Sequence, residues 1–277
     1  MNAAPTALPV TEASAVRATH DGPVTRLFLD RAARRNALDE ALIAELTAAV
    51  EAAGTRPATR VIVLGGEGPA FCAGADLAHM RAVAGRGPAE NVAEAHRLAR
   101  LFSTVRDCPK PTVARVHGAA LGGGAGLVAA CDLAVAADDT VFGFTEVRLG
   151  IVPAVISPFV VSRIGWSAAR ELFLTGERFG AERAREVGLV ARVVPPAQLD
   201  AAVDERTTEL LRAGPEAQAA VKRMLLHLAG WDPAVTDYTA ALIAELRASP
   251  EGREGLAAFL ERRPPAWAPG ATRGDGS

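Results

Sequence analysis

The sequence predicts an α/β body followed by an all-helical C-terminal region, and three observations predict it. Short β-branched runs alternate with stretches of helical spacing from about residue 13 to 196. Glycine-rich turns sit where several of those runs end. From about 197 onward only helical spacing remains, interrupted by Gly-Pro and Ser-Pro stops.

The first two strands are the runs SAVRATH and VTRLFLD, which flank Asp21-Gly22 and read as a hairpin. Leu42, Ile43, Leu46 and Val50 recur at helical spacing over 39–53, with Gly54 expected as the stop. Arg60 and VIVLGG form a short buried strand, and 89–106 a second helix. Pro111-TVARVH is another strand, and Gly122-GGAGLVAA a glycine turn that enters a helix. Asp132-LAVA and Val141-FGF are two further strands. C-terminal helices are expected at 197–213, 216–229, 233–248 and 251–262. Gly214-Pro215, Gly230 with Asp232-Pro233, and Ser249-Pro250 separate them. Their apolar faces are wide, so they are expected to pack on neighbouring subunits. Residues 1–12 and 264–277 read as disordered tails, the first Ala/Pro/Thr-rich and the second Pro/Gly-rich. Arg-Gly-Asp at 273–275 is a chance tripeptide in such a tail. No internal repeat is visible.

Composition narrows the function. In 277 residues, 49% are hydrophobic, enough for a sizeable core. The net charge is −2 and the arginines are scattered among acids, which argues against a nucleic-acid partner. No apolar run reaches the roughly 18 residues of a membrane span. The N-terminus lacks the basic and apolar regions of a secretory signal. Cys72, Cys108 and Cys131 show no C-x-x-C spacing, and an odd count argues against a disulfide framework, so a cytoplasmic setting is expected.

Three segments carry candidate chemistry. In Gly65-GEGPAFCAGADLAHM a strand ends in a glycine-rich loop, and Asp76 is placed to cap a helix starting near Leu77. The free amides of such a helix start can hold an anion or a polarised oxygen. In His117-GAALGGGAGLVAACD, glycines 122, 123 and 124 let the backbone approach a ligand and open a helix. Gly124-Ala-Gly126-Leu-Val-Ala129 imitates a dinucleotide fingerprint. A strand pair intervenes before Glu146, however, so that acid does not end the next strand, and no phosphate-binding G-x-x-x-x-G-K-[ST] exists. In Phe142-GFTEVRLGIVPAVISPFVV, Glu146 follows a strand amid apolar neighbours. Desolvation there would raise its pKa toward the range useful for general acid/base work.

Taken together the segments resemble the enoyl-CoA hydratase/isomerase (crotonase-like) family. The resemblance rests on A-x-x-N-A-L at 33–38, F-C-A-G-A-D at 71–76, A-L-G-G-G at 120–124, C-D-L at 131–133 and F-G-x-x-E-x-x-L-G-x-x-P at 142–153. It runs from the hairpin to Arg263. It implies a spiral of ββα units with a C-terminal helical trimerisation region, assembled as a homotrimer or as a hexamer of two trimers. It implies an acyl-CoA thioester as partner and no cofactor beyond the coenzyme A of the substrate. The backbone N–H groups of Ala75 and Gly123 would form an oxyanion hole, with Glu146 as the acid/base. Coenzyme A would run along 34–37 and 75–78, touching Arg34, Arg35, Ala37, Ala73, Asp76, Leu77, Ala78 and Gly122. Arg262 would reach its nucleotide end from an adjacent subunit.

One departure matters. Two-glutamate hydratases of the family carry a first Glu where this chain has Gly126; only the second, Glu146, is kept. The P-G-[AG]-G stretch of the family here reads Pro153-Ala-Val-Ile-Ser157, which implies a bulkier pocket floor. A single glutamate fits the enoyl-CoA isomerases. It also fits a bacterial branch of methylglutaconyl-CoA and isohexenylglutaconyl-CoA hydratases, similar at 122–127, 145–150 and 153–161. The longer match favours a hydratase of that branch, with the isomerase or a non-catalytic acyl-CoA binder as alternatives. His79 could face the acyl group or a distal carboxylate, His117 reads as structural, and Cys72 as a buried thiol. Ser103 and Ser157 have no nucleophile motif around them, and no His/Cys/Asp cluster has metal-ligand spacing.

Overall fold

A computed structural model describes residues 14–228 and 234–265. The hairpin forms as expected: β1 (Val16–Asp21) pairs antiparallel with β2 (Val24–Leu29), and Gly22 takes the left-handed turn position at φ +52°. Helix α1 (Glu40–Thr55) starts at Asp39, whose carboxylate accepts the Leu42 N–H at 2.9 Å. Gly54 does not stop this helix but lies buried inside it. A Cβ there would stand 3.2 Å from Cys108 Sγ, so the glycine serves close packing.

The strand β3 (Val61–Gly66) leads to α2 (Leu77–Ala84) and the long α3 (Pro88–Asp107). Two ββα units follow. The first is β4 (Thr112–Val116), β5 (Ala119–Leu121) and α4 (Gly123–Ala130). The second is β6 (Leu133–Ala137), β7 (Val141–Gly143), a 3-10 turn over Thr145–Leu149, and α5 (Ser157–Thr175). Then come β8 (Arg178–Gly180), α6 (Ala181–Glu186), β9 (Arg192–Val194) and α7 (Leu199–Leu211). The chain ends with α8 (Pro215–Leu228), α9 (Ala234–Ala248) and α10 (Pro250–Leu260). Strands β5, β8 and β9 are three residues each, too short for periodicity to reveal.

A six-stranded sheet runs β1-β2-β3-β4-β6-β9, parallel except for the first pair. A three-stranded sheet runs β5-β7-β8. Each ββα unit puts its first strand in the large sheet and its second in the small one. The loop after β3 follows the same rule, because Cys72 bridges to Ala120 of β5 and Ala75 bridges to Leu38. The site grows from these loop crossings.

Helix α7 packs Leu199, Ala202 and Val203 against Val61, Val63, Val113 and Val135 of the large sheet. Helix α7, which lies beyond the division expected at 196, covers a face of the sheet that would otherwise be wet. Helix α9 lies along α3, and α10 against the 3-10 turn and α2 of the same chain. While α8 leaves Val221, Met224 and Leu225 exposed, helices α9 and α10 thus cover their own chain's body. Two glycines permit it: a Cβ at Gly255 would stand 2.0 Å from the Leu149 carbonyl oxygen, and one at Gly252 2.0 Å from that of Leu246. Gly230 and Asp232-Pro233, the N-terminal tail and Arg-Gly-Asp at 273–275 lie outside the described residues.

Candidate active site

Ala75 ends the loop after β3. Its bridge to Leu38 uses the N–H groups of Leu38, bonded to Gly74 O at 2.7 Å, and of Asp76, bonded to Leu38 O at 2.9 Å. The Ala75 N–H is left over. Gly123 is the first residue of α4, so its N–H has no partner one turn back. Among the described residues neither amide is taken by a hydrogen bond, and both face one cavity of about 1080 Å³.

The loop is held from three sides. Asp76 caps α2 by accepting the Ala78 and His79 N–H groups at 2.8 and 3.2 Å. Burial works to raise its pKa, but those two bonds and the guanidinium groups of Arg34 and Arg31 outweigh it and keep the carboxyl ionised. Asn36, fully buried and left-handed at φ +55°, donates to the carbonyls of Glu67 and Ala70 at 2.9 and 2.7 Å and accepts from the Arg31 N–H at 2.9 Å. Sequence reasoning gave Asn36 no role, although its place inside A-x-x-N-A-L was a signal. His117 Nε2 meets Gly68 O at 2.9 Å, the structural role expected of it.

Glu146 sits in the 3-10 turn that follows β7. The residue as a whole is half-buried, yet Oε2 is shut off from water and finds no hydrogen-bond partner. Burial pushes its pKa up to about 7, against a weaker opposing pull from its own backbone N–H. Arg148 does not pair with it; its Nε turns to Thr175 O at 3.5 Å. Oε1 lies 3.1 Å from where a Cβ on Gly122 would stand, and Gly122 is left-handed at φ +49°. Glycine at 122 therefore lets the carboxyl lie directly beside the turn that presents Gly123.

The space at Gly126, where two-glutamate hydratases carry their first Glu, is full. A Cβ on Gly126 would stand 2.4 Å from Ile156 Cγ2 and 3.3 Å from Phe102 Cε1. The bulk expected from Pro153-Ala-Val-Ile-Ser157 is thus spent on filling that space.

Of the other expected residues, Arg34, Arg35, Ala37, Ala73, Ala78 and Arg262 line the same cavity. Leu77 opens α2. Arg262, expected from an adjacent subunit, lines the site of its own chain, because α10 folds back over it. Cys72 is buried and burial raises its thiol pKa to about 12, consistent with an inert thiol. The cavity also holds two residues that sequence reasoning missed, Glu94 of α3 and Arg247 of α9. His79 Nε2 lies 2.9 Å from Glu94 Oε1, and Arg247 pairs with Glu94 Oε2. Burial works to raise the Glu94 pKa, but His79 and Arg247 overcome it and hold the carboxyl at about 2. No local pattern marks such a cluster, since its members come from three helices.

Two free amides converging beside a raised carboxyl can hold an enolate oxygen and move a proton at the adjacent carbon. Residues 20–270 match the enoyl-CoA hydratase/isomerase family model. The chain belongs to that enzyme family. It is 37% identical over 249 residues to a mevalonyl-coenzyme A hydratase of Aspergillus fumigatus, covering 88% of this chain and 90% of that one. It is 33% identical over 245 residues to a crotonyl-CoA hydratase of Syntrophomonas wolfei, covering 86% and 91%. The crystal structure of an enoyl-CoA hydratase from Mycobacterium avium matches with a TM-score of 0.81 at 36% identity, covering 92% of this chain and all of that one, 100%.

Proposed function

We propose that this chain adds water across the double bond of a 2-enoyl-CoA. The observation that carries the reading is the unpartnered Glu146 carboxyl, with a pKa of about 7, beside the free Ala75 and Gly123 amides. The thioester oxygen accepts both N–H groups, so negative charge that develops there is met by fixed donors; losing one such donor costs about 3–4 kcal/mol elsewhere. Water forms a bond to Cβ, and the C=C pair moves onto the thioester oxygen as an enolate. The pair returns to form the Cα–H bond with the proton of neutral Glu146. The other Glu146 oxygen takes the proton that water releases, so one carboxyl closes the cycle.

The acyl group we propose is branched or of the glutaconyl type. The 122–127, 145–150 and 153–161 segments support it, as does the relative named for mevalonyl-CoA. Arg34, Arg35, Ala37, Ala73, Asp76, Leu77, Ala78 and Arg262 would carry the coenzyme A. Assembly into a trimer or hexamer is supported by exposed Val221, Met224 and Leu225 on α8. The three free cysteines fit a reducing, cytoplasmic setting.

One observation favours a second reading. With Ile156 in the space of a second carboxylate, the site resembles a one-base enoyl-CoA isomerase. A panel of crotonyl-CoA, 3-methylglutaconyl-CoA and a 3-enoyl-CoA, followed by mass, decides. A gain of one water supports the hydratase. A shifted double bond without mass change assigns the isomerase. CoA-ester binding without turnover of any of the three removes both.

A further inference from the structure

The His79–Glu94–Arg247 cluster stands apart from Glu146 and is not used by the chemistry above. Its place follows from α3. Phe102 lies under the oxyanion turn, 3.9 Å from the Cβ position of Gly123 and 3.3 Å from that of Gly126. Glu94 is eight residues earlier on the same helix, roughly 12 Å along its axis. Leu98, between them, lines the cavity. An apolar wall therefore leads from the reacting carbons to a charged end.

The hydrogen bonding at that end is incomplete. The His79, Glu94 and Arg247 side chains are 9%, 3% and 16% exposed. Both Glu94 oxygens are taken, one by each partner. Because that carboxylate can only accept, His79 Nε2 carries the hydrogen, and Nδ1 is left as the second polar atom of the ring. Among the described residues Nδ1 has no partner, and Arg247 uses only one of its N–H groups on Glu94. An alkyl chain covering this end would strip water from these groups and return nothing. An oxygen on the chain would accept from Arg247. A hydroxyl, which can both donate and accept, would also pair with Nδ1. A carboxylate would pair with Arg247.

We propose that His79, Glu94 and Arg247 form a recognition site for an oxygen function on the acyl chain, several carbons from the thioester, and so select oxygenated over plain alkyl acyl-CoA. Glu94 positions the other two. The proposal rests on the acyl-CoA reading of the cavity but not on turnover. Its test is calorimetric, with three saturated thioesters of equal chain length: hexanoyl-CoA, 6-hydroxyhexanoyl-CoA and adipoyl-CoA. One of the two oxygenated esters should bind about tenfold or more tighter than hexanoyl-CoA. His79→Phe, and separately the double change Glu94→Gln with Arg247→Met, should each bring the ratio to about one. Thermal unfolding of each variant shows that it is folded, and the double change removes both charges together so that neither is stranded. Equal binding of all three esters by the unaltered protein, or a preference unchanged in folded variants, overturns the proposal. Turnover of crotonyl-CoA and 3-methylglutaconyl-CoA by the unaltered protein, measured in parallel, tests the hydratase reading alone. A protein that shows the preference but hydrates neither loses that reading and keeps this one.

Discussion

On the proposed reading, Glu146 is the side chain on which the chemistry turns. Glu146→Gln is expected to lower turnover by about 10²–10⁴ while CoA esters still bind. Its pH profile separates the two readings. Hydration begins with the neutral carboxyl, so its rate should fall as pH rises through about 7. Isomerisation begins with the carboxylate, so its rate should rise through about 7. Rate measurements on either side of that value, on the substrate that is turned over, check this. The sequence already located Glu146, because a strand end followed by apolar neighbours implies a desolvated carboxyl. Glycine-rich turns entering helices pointed to free amides near 74–77 and 122–124, but only the family resemblance singled out Ala75 and Gly123. Glu94 and Arg247 were illegible at this scale: each is an ordinary charged residue on its own helix, and only packing joins them.

At the scale of elements, the site depends on how two helices are anchored. Asp76 fixes the start of α2 and thereby the peptide that presents Ala75. Asp76→Ala should cost about 1 kcal/mol and lower Tm by roughly 2–4 °C. A larger fractional loss in kcat than in CoA-ester affinity would show that Ala75 had moved. Helix α10 is anchored by a glycine contact. Gly255→Ala places a methyl group where the Leu149 carbonyl oxygen stands 2.0 Å away. The helix must shift, at about 1–3 kcal/mol, and thermal unfolding should register it. The lengths and stops of the C-terminal helices were readable from Gly-Pro and Ser-Pro signals. Their destination was not. An apolar stripe requires a covering surface without naming it; for α9 and α10 the body of the same chain provides that surface, and for α8 it does not.

For the molecule as a whole, two buried carboxyls shape stability in opposite directions. Glu94 titrates at about 2 in the fold and near 4.5 when unfolded. Its contribution is complete above 4.5 and is lost as pH falls toward 2. Glu146 titrates at about 7 in the fold and near 4.5 when unfolded. The folded state then binds the extra proton, so stability falls as pH rises from 4.5 through 7. Each swing amounts to roughly 3 kcal/mol. The two together should give maximal stability close to the unfolded value they share. Glu146→Gln removes the upper swing, so at about pH 8 the variant should exceed the unaltered protein by up to about 3 kcal/mol, a gain absent at about pH 4. Denaturant titrations at the two pH values check this. The α/β class was legible because strands and helices differ in period. The pairing of two sheets was not, because the strands that build the smaller one are three residues long.

The contact between Ile156 and the backbone of Gly126 has a consequence for how such sites change over generations. A mutation that restores glutamate at 126 alone meets an occupied space, so its carrier is expected to be less stable and no better at activating water. A mutation that shrinks Ile156 alone opens a hole beside Phe102 and gains nothing. Only a lineage that acquires both recovers a two-carboxylate site. Residues 126 and 156 should therefore be inherited as a pair, glycine with a large apolar partner or glutamate with a small one.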